Sequence, residues 1–172
     1  LISSMTMADT IDVFFGTSGR ETKGIYYSTF DTETGKLGQP TLAAEIGSPG
    51  FLAMDSDQSH LYAVGSKDEP VVAAYKIGSG GKLTELSTAA IGDGGGAHIS
   101  VHPSGKFLMT AQYGGGSTAV FPINKDGSVG KRSQLIEHEG GSGVVESRQN
   151  APHPHWTGYS PDGKFAFVPD LG

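Results

Sequence analysis

Apolar and polar positions along this chain alternate in short runs separated by polar, glycine-bearing turns, and the runs recur. Residues 51–64 (FLAMDSDQSHLYAV), 97–110 (AHISVHPSGKFLMT) and 155–168 (HWTGYSPDGKFAFV) each hold an apolar stretch, a polar turn and a second apolar stretch. Residues 24–37, 71–83 and 117–129 repeat a second theme, a strand-like run that closes on a turn and one further apolar residue. The closing residues Leu37, Leu83 and Val129 stand 46 positions apart, as do Leu61 and Phe107 in the second run of their units. The pairs Ser104-Gly105 and Asp162-Gly163 suit hairpin turns. No three-and-four spacing of apolar residues is sustained, so the pattern predicts strands and no long helix.

Four short strands in about 46 residues is the period of a β-propeller blade. The expected fold is therefore all-β, with a β-sandwich of accidental spacing as the competing architecture. Residues 11–46 supply three strands and lack a first; 51–91 and 97–136 are full units; 155–172 supply two strands. The inner strands are expected at 51–57 and 97–102. Together these make about three and a half blades, below the roughly four to eight that close a ring. The expectation is a partial propeller over 11–172, cut inside a blade at Gly172 and completed by a complementary C-terminal half or a second chain. Residues 1–10, which begin with Leu, read as a disordered or processed segment.

Composition narrows the function. The 172 residues include 27 glycines, which serve turns and weaken helices, and carry a formal net charge of -6. No basic cluster is present, which argues against nucleic acid and anionic membranes as partners. No apolar run reaches the roughly 18 residues of a membrane span. Without cysteine there is neither a disulfide nor a thiolate metal site. The expected compartment is the cytoplasm, or outside it if the N-terminal residues are the remnant of a signal peptide.

The chemistry concentrates near the end of the sequence, in RQNAPHPHWTGYSPDGKFAFVPDLG (148–172). His153 and His155 are two residues apart, so in a strand they share a face. Pro152 and Pro154 lack ladder donors and mark a strand entrance. At a channel mouth such histidines act as general acid or base; elsewhere they are structural, held by loop carbonyls. Phe107 and Phe165 are 58 apart, twelve beyond one period, and the surplus falls in EHEGGSGVVESRQN just before the histidines. A long glycine-rich loop beside a site is a functional signal. Within it Arg148 offers a donor fork for a phosphate or carboxylate, or a salt bridge to Glu139 or Glu146. Gln149 can bond hydroxyls or an ester oxygen. His98 opens the equivalent inner strand of the third unit and can line the channel. Tyr113, before a glycine-rich turn that is no phosphate loop, reaches the channel mouth or packs between blades. His138 and Glu139 are weaker candidates, and Asp170 is read as a loop-holding turn residue. A His-x-His metal site would need His98, Asp170 or Glu146 as a third ligand, and no spacing demands one. Neither metal nor cofactor is expected.

QYGGGSTAVFPINKDGSV (112–129), HEGGSG (138–143) and the 148–172 stretch, in that order, resemble the seven-bladed β-propeller lactonases of the 6-phosphogluconolactonase type, relatives of the fungal carboxy-cis,cis-muconate cyclases. The likeness runs from about residue 11 to 172; Gln112 departs from the Asn common in the family. The resemblance implies hydrolysis of a sugar-phosphate lactone, with His155 favoured over His153 as the catalytic histidine and Arg148, Gln149, His98 and Tyr113 toward substrate. A muconate-type lactone cycloisomerase, or a non-catalytic propeller binding sugars or proteins, are the alternatives.

Overall fold

The computed structural model describes residues 10–19 and 21–172. Residues 1–9, nearly all of the expected N-terminal segment, lie outside this range, while Thr10 already belongs to a strand. The first sheet comprises β1 (Thr10–Phe15), β2 (Gly24–Asp31), β3 (Lys36–Leu37) and β4 (Thr41–Glu45), with β3 and β4 both paired to β2. The second is the meander β5 (Gly47–Met54), β6 (His60–Ser66), β7 (Pro70–Ile77) and β8 (Leu83–Ala90). The third repeats it as β9 (His98–Val101), β10 (Phe107–Gln112), β11 (Ser117–Pro122) and β12 (Gln134–Glu137). A four-residue helical turn, α1 (Glu146–Gln149), precedes the last pair, β13 (Gly158–Tyr159) and β14 (Ala166–Phe167). All pairings between these strands are antiparallel, and the all-β blade reading holds. Contacts run β5 to β9 and β9 to β13, first strand to first strand, as in blades set around an axis.

Each middle strand is apolar on both faces because it is covered on both. Along β6, Leu61 and Ala63 pack with Ile25, Ile46 and Tyr75 against the first sheet. Tyr62 and Val64 point the other way, into Ile99, Leu108 and Phe121 of the third sheet. A strand so placed reads as the unbroken run LYAV, not as alternation. The repeat residues report their neighbours. Leu83 and Val129 are 9% and 4% exposed, whereas the equivalent Leu37 is 55% exposed, with no sheet before it among the described residues.

The register corrects one anchor of the sequence period. Leu61 pairs with Met54 and Tyr75, and Leu108, not Phe107, pairs with Val101 and Phe121. Leu108 is the structural equivalent of Leu61, and both are fully buried, while Phe107 is 44% exposed. Side chains alternate across a strand, so a one-residue slip exchanges the two faces. The second unit also starts at Gly47, ahead of residue 51, through a bulge between Gly47 and Phe51.

Two buried tyrosines give a paired test of this packing. Tyr62 Oη donates to the Gly127 carbonyl at 3.1 Å and ties the second sheet to the third. Tyr75 Oη is buried with no hydrogen-bond partner among the described residues. Removing a partnered hydroxyl strands a carbonyl, whereas removing an orphan relieves a desolvation cost. Tyr62→Phe is expected to lower stability by about 1–2 kcal/mol and Tyr75→Phe to leave it unchanged or raised, as read by urea unfolding.

Candidate active site at the entrance of the inner strands

The site is built from the first strands of three consecutive sheets and the loop before the last. The entering segment 151–157 is pinned from both sides. His153 N–H donates to Asp170 Oδ1 at 2.7 Å, Leu171 N–H to the His153 carbonyl at 3.1 Å, and His155 N–H to the Pro169 carbonyl at 3.2 Å. Asp170 also accepts from Gly172 N–H at 2.8 Å and pairs through Oδ2 with His138 Nδ1 at 2.9 Å. Burial disfavours its charge, yet these donors outweigh burial and hold its carboxyl below the usual carboxylate range. His138 Nε2 meets Thr118 Oγ1 at 3.0 Å, so the long loop is tied to β11 as well. Asp170 and His138 therefore hold the loop and strand entrance in register.

Tyr113 is the centre of the cluster. The ring of His153 stacks on it at 4.5 Å and 17°, and His155 meets it edge-on at 5.5 Å and 86°. Arg148 Nη2 reaches the Tyr113 hydroxyl at 3.4 Å. The structure thus brings His153, His155, Tyr113 and Arg148 together. His153 Nδ1 lies 2.8 Å from the Tyr113 carbonyl, which only accepts, so Nδ1 carries the proton and the neutral ring presents Nε2 as a lone pair. His155 is exposed and its imidazole makes no hydrogen bond to the described residues. Arg148 has no carboxylate in ion-pair range among the described residues, and the salt bridge to Glu139 or Glu146 is not formed. Gln149 is turned elsewhere. Its amide accepts from Val145 N–H at 2.9 Å and donates to the Leu171 carbonyl at 3.0 Å, closing α1 onto the end of the segment.

His98 lies deeper, 6% exposed, on β9. Its ring is 3.8 Å from Phe51 of β5 and 5.5 Å from Trp156. Thr157 N–H donates to its Nδ1 at 3.2 Å. Gly158 leaves the space that the Trp156 indole occupies; a Cβ there would collide with the ring. Burial, reinforced by the nearby His155, pushes the His98 pKa down to about 4. Phe51, inside β5, and Trp156, just before β13, were not read from the sequence as part of the site, although both are large apolar residues left exposed.

The remaining histidines serve turns. His60 Nδ1 lies 2.6 Å from Asp55 Oδ2, and His102 bridges Ser104 Oγ at 2.8 Å and the Gly163 carbonyl at 3.0 Å. Both rings are engaged in holding their turns. Among the described residues, three groups of metal-ligating type gather only at Asp55, Asp57 and His60, and Ser59 and the His60 backbone already bond them. Gln112, the departure from the family pattern, is fully buried and bonds Thr110 and Ser117 beneath the glycine-rich turn.

Meandering antiparallel sheets with adjacent inner strands and a polar cluster at their entrance define a β-propeller of the channel-mouth type. The chain belongs to the seven-bladed β-propeller lactonase family: residues 12–172 match the family described as Lactonase, 7-bladed beta-propeller. It is 36% identical to a 6-phosphogluconolactonase of Bacillus subtilis over 165 residues, covering 92% of this chain and 47% of that protein. A solved structure from Bacteroides fragilis is similar at 34% identity and TM-score 0.86, covering 98% of this chain and 47% of its own. The periplasmic gluconolactonase of Pseudomonas aeruginosa is similar at 28% identity and TM-score 0.87, covering 95% and 48%. The chain spans about half the length of the curated relatives it matches.

His98 also sets a pH signature. Unfolded, its ring binds a proton near the ordinary 6.5; folded, only near 4. The folded state therefore holds fewer protons in this window. The contribution is complete above about 6.5 and is lost as pH falls toward 4. His98→Phe is expected to flatten the decline in unfolding midpoint between these pH values, measured by thermal melts; an unchanged slope would place the source elsewhere.

Proposed function

We propose that this chain contributes the catalytic entrance of a sugar-lactone hydrolase acting on 6-phosphogluconolactone to give 6-phosphogluconate. The observation that carries the reading is the convergence of His153, His155 and Arg148 on Tyr113, together with membership of the lactonase family. Hydrolysis of a δ-lactone needs a base for water, donors for the developing oxyanion and, for a phosphorylated substrate, a cation. His155, with a free and exposed imidazole, is the proposed acid/base, and His153 is the second histidine. Arg148 is the proposed anion anchor, at the rim beside Tyr113. Gln149 acts through the shape of α1, since both ends of its amide are used within the loop.

The working unit is proposed to be a closed ring, in which further blades cover the faces exposed here: Ile11 and Leu37 on one side, Phe165 and Phe167 on the other. Those blades come from the complementary half, with a second copy of this chain as the less suited occupant, because its blade junctions need not match. A phosphorylated lactone is a cytoplasmic metabolite, which is the proposed compartment. The similar periplasmic gluconolactonase supports a second reading, an unphosphorylated sugar lactone and export.

In the complete protein His155→Ala is expected to lower turnover by roughly 10²–10⁴, the usual range for an acid/base group. Arg148→Ala is expected to raise KM for the phosphorylated lactone more than for glucono-δ-lactone, with less effect on kcat. Assays with both lactones and with a muconate-type lactone decide between hydrolase and cycloisomerase. A folded His155→Ala enzyme with full turnover removes His155 from the chemistry.

A further inference from the structure

His98 is set apart from the other histidines by which of its nitrogens is committed. The Thr157 backbone N–H can only donate, and it does so to Nδ1 at 3.2 Å. Nδ1 therefore holds a lone pair, and the proton of the neutral ring sits on Nε2. The acceptor is held from several directions. Thr157 is fully buried, and its hydroxyl lies 3.3 Å from Nδ1 itself, 2.8 Å from Ser100 Oγ and 3.3 Å from the Met109 carbonyl. Among the described residues Nε2 has no hydrogen-bond partner, yet it is not among their fully buried orphaned polar atoms, so it keeps some exposed surface. The histidine is thus buried around Nδ1 and open at a single N–H.

The place of that N–H fits a reacting carbonyl. Phe51 from β5, His98 from β9 and Trp156 just before β13 meet where three first strands run side by side. The apolar rings on both flanks lower the local dielectric, which strengthens a hydrogen bond from Nε2. The titratable group that faces His98 is His155; Phe51, Trp156, Thr157 and Ser100 bring no charge to it. Its counterpart is His153, whose proton sits on Nδ1 against the Tyr113 carbonyl and whose lone pair is on Nε2. The entrance thus holds one histidine fixed as a donor and another fixed as an acceptor.

We propose that His98 is a catalytic residue that acts as a neutral hydrogen-bond donor, through Nε2–H, to the carbonyl oxygen of the lactone; this role rests on the hydrolase reading above. Water adds to the carbonyl carbon, forming the new C–O bond and passing a proton to the basic histidine, His155 in the reading above. The carbonyl π pair moves onto the oxygen held by Nε2–H. Collapse of this oxyanion breaks the ring C–O bond, and the departing oxygen takes the proton back from the basic histidine. The hydroxy acid that results has consumed one water, and His98 neither gains nor loses a proton. A neutral imidazole suits this step because its N–H remains a donor at every pH at which the other histidine is a base. The use parallels the neutral electrophilic histidine of triosephosphate isomerase.

Nitrogen-15 NMR of the imidazoles in the complete protein tests the tautomer without any substitution. His98 is expected to show the proton on Nε2 and no titration from pH 5.5 to 8. Kinetics with glucono-δ-lactone and its 6-phosphate test the role. His98→Phe is expected to lower kcat roughly 10²–10³-fold, the cost of one oxyanion donor, with little change in KM. His98→Gln, which places an amide N–H near the position of Nε2, is expected to recover at least part of that loss. A proton on Nδ1, titration near neutrality or full kcat in His98→Phe overturns the assignment. If the wild-type protein hydrolyses neither lactone, the hydrolase reading itself falls; if it is active and His98→Phe matches it, only the role of His98 falls.

Discussion

The structure depends on one constraint: each sheet is apolar on both faces and is stable only between two others. Tyr62 and Val64 on one face of β6, and Leu61 and Ala63 on the other, are all fully buried because sheets lie on both sides. Burying an aliphatic or aromatic side chain of this size is worth about 1.5–3 kcal/mol, so each added neighbour supplies a large share of a blade's stability. The same constraint explains the exposed Leu37, Phe165 and Phe167. Leu37 and Phe167 occupy positions that the inner units bury, those of Leu83 and Val129 and of Met109, and Phe165 lies beside Phe167 at the margin of the described sheets.

Stacking blades around an axis also produces the site. First strands contact first strands, so residues from β5, β9 and the segment before β13 meet although they are far apart in sequence. The loop ahead of the last strands is then fastened by few, well-placed bonds. Asp170 ties the His153 backbone, the Gly172 backbone and the His138 ring to one carboxylate. Arg148 and Tyr113 sit above this base without ion-pair partners of their own among the described residues. A rigid base beneath a polar, uncommitted rim is the arrangement that holds reacting groups in place.

Much of this was legible in the chain. The period of 46 between Leu83 and Val129 reflects a real equivalence, since both close the outer hairpin against the preceding sheet. The Leu61–Phe107 pairing failed by one residue, because the hairpin of the third unit is shorter and apolar residues flank both candidate positions. Local pattern cannot distinguish two faces that are both apolar. The spacing of His153 and His155 placed them together, and the structure sets both against Tyr113. The bond from Thr157 to His98, spanning 59 residues, and that from His138 to Asp170, spanning 32, left no trace in composition or spacing. Such contacts are set by the packing of blades, and the residues that make them look ordinary in sequence.

Hydrogen exchange, read by mass spectrometry on this chain alone and with a polypeptide supplying the remaining blades of its relatives, tests the dependence of blade on neighbour most directly. The account predicts strong protection of β6, β7, β10 and β11 in both samples, and protection of β1, β2, β13 and β14 that rises sharply only when the flanking blades are present. Equal protection of all these strands in the isolated chain would contradict it.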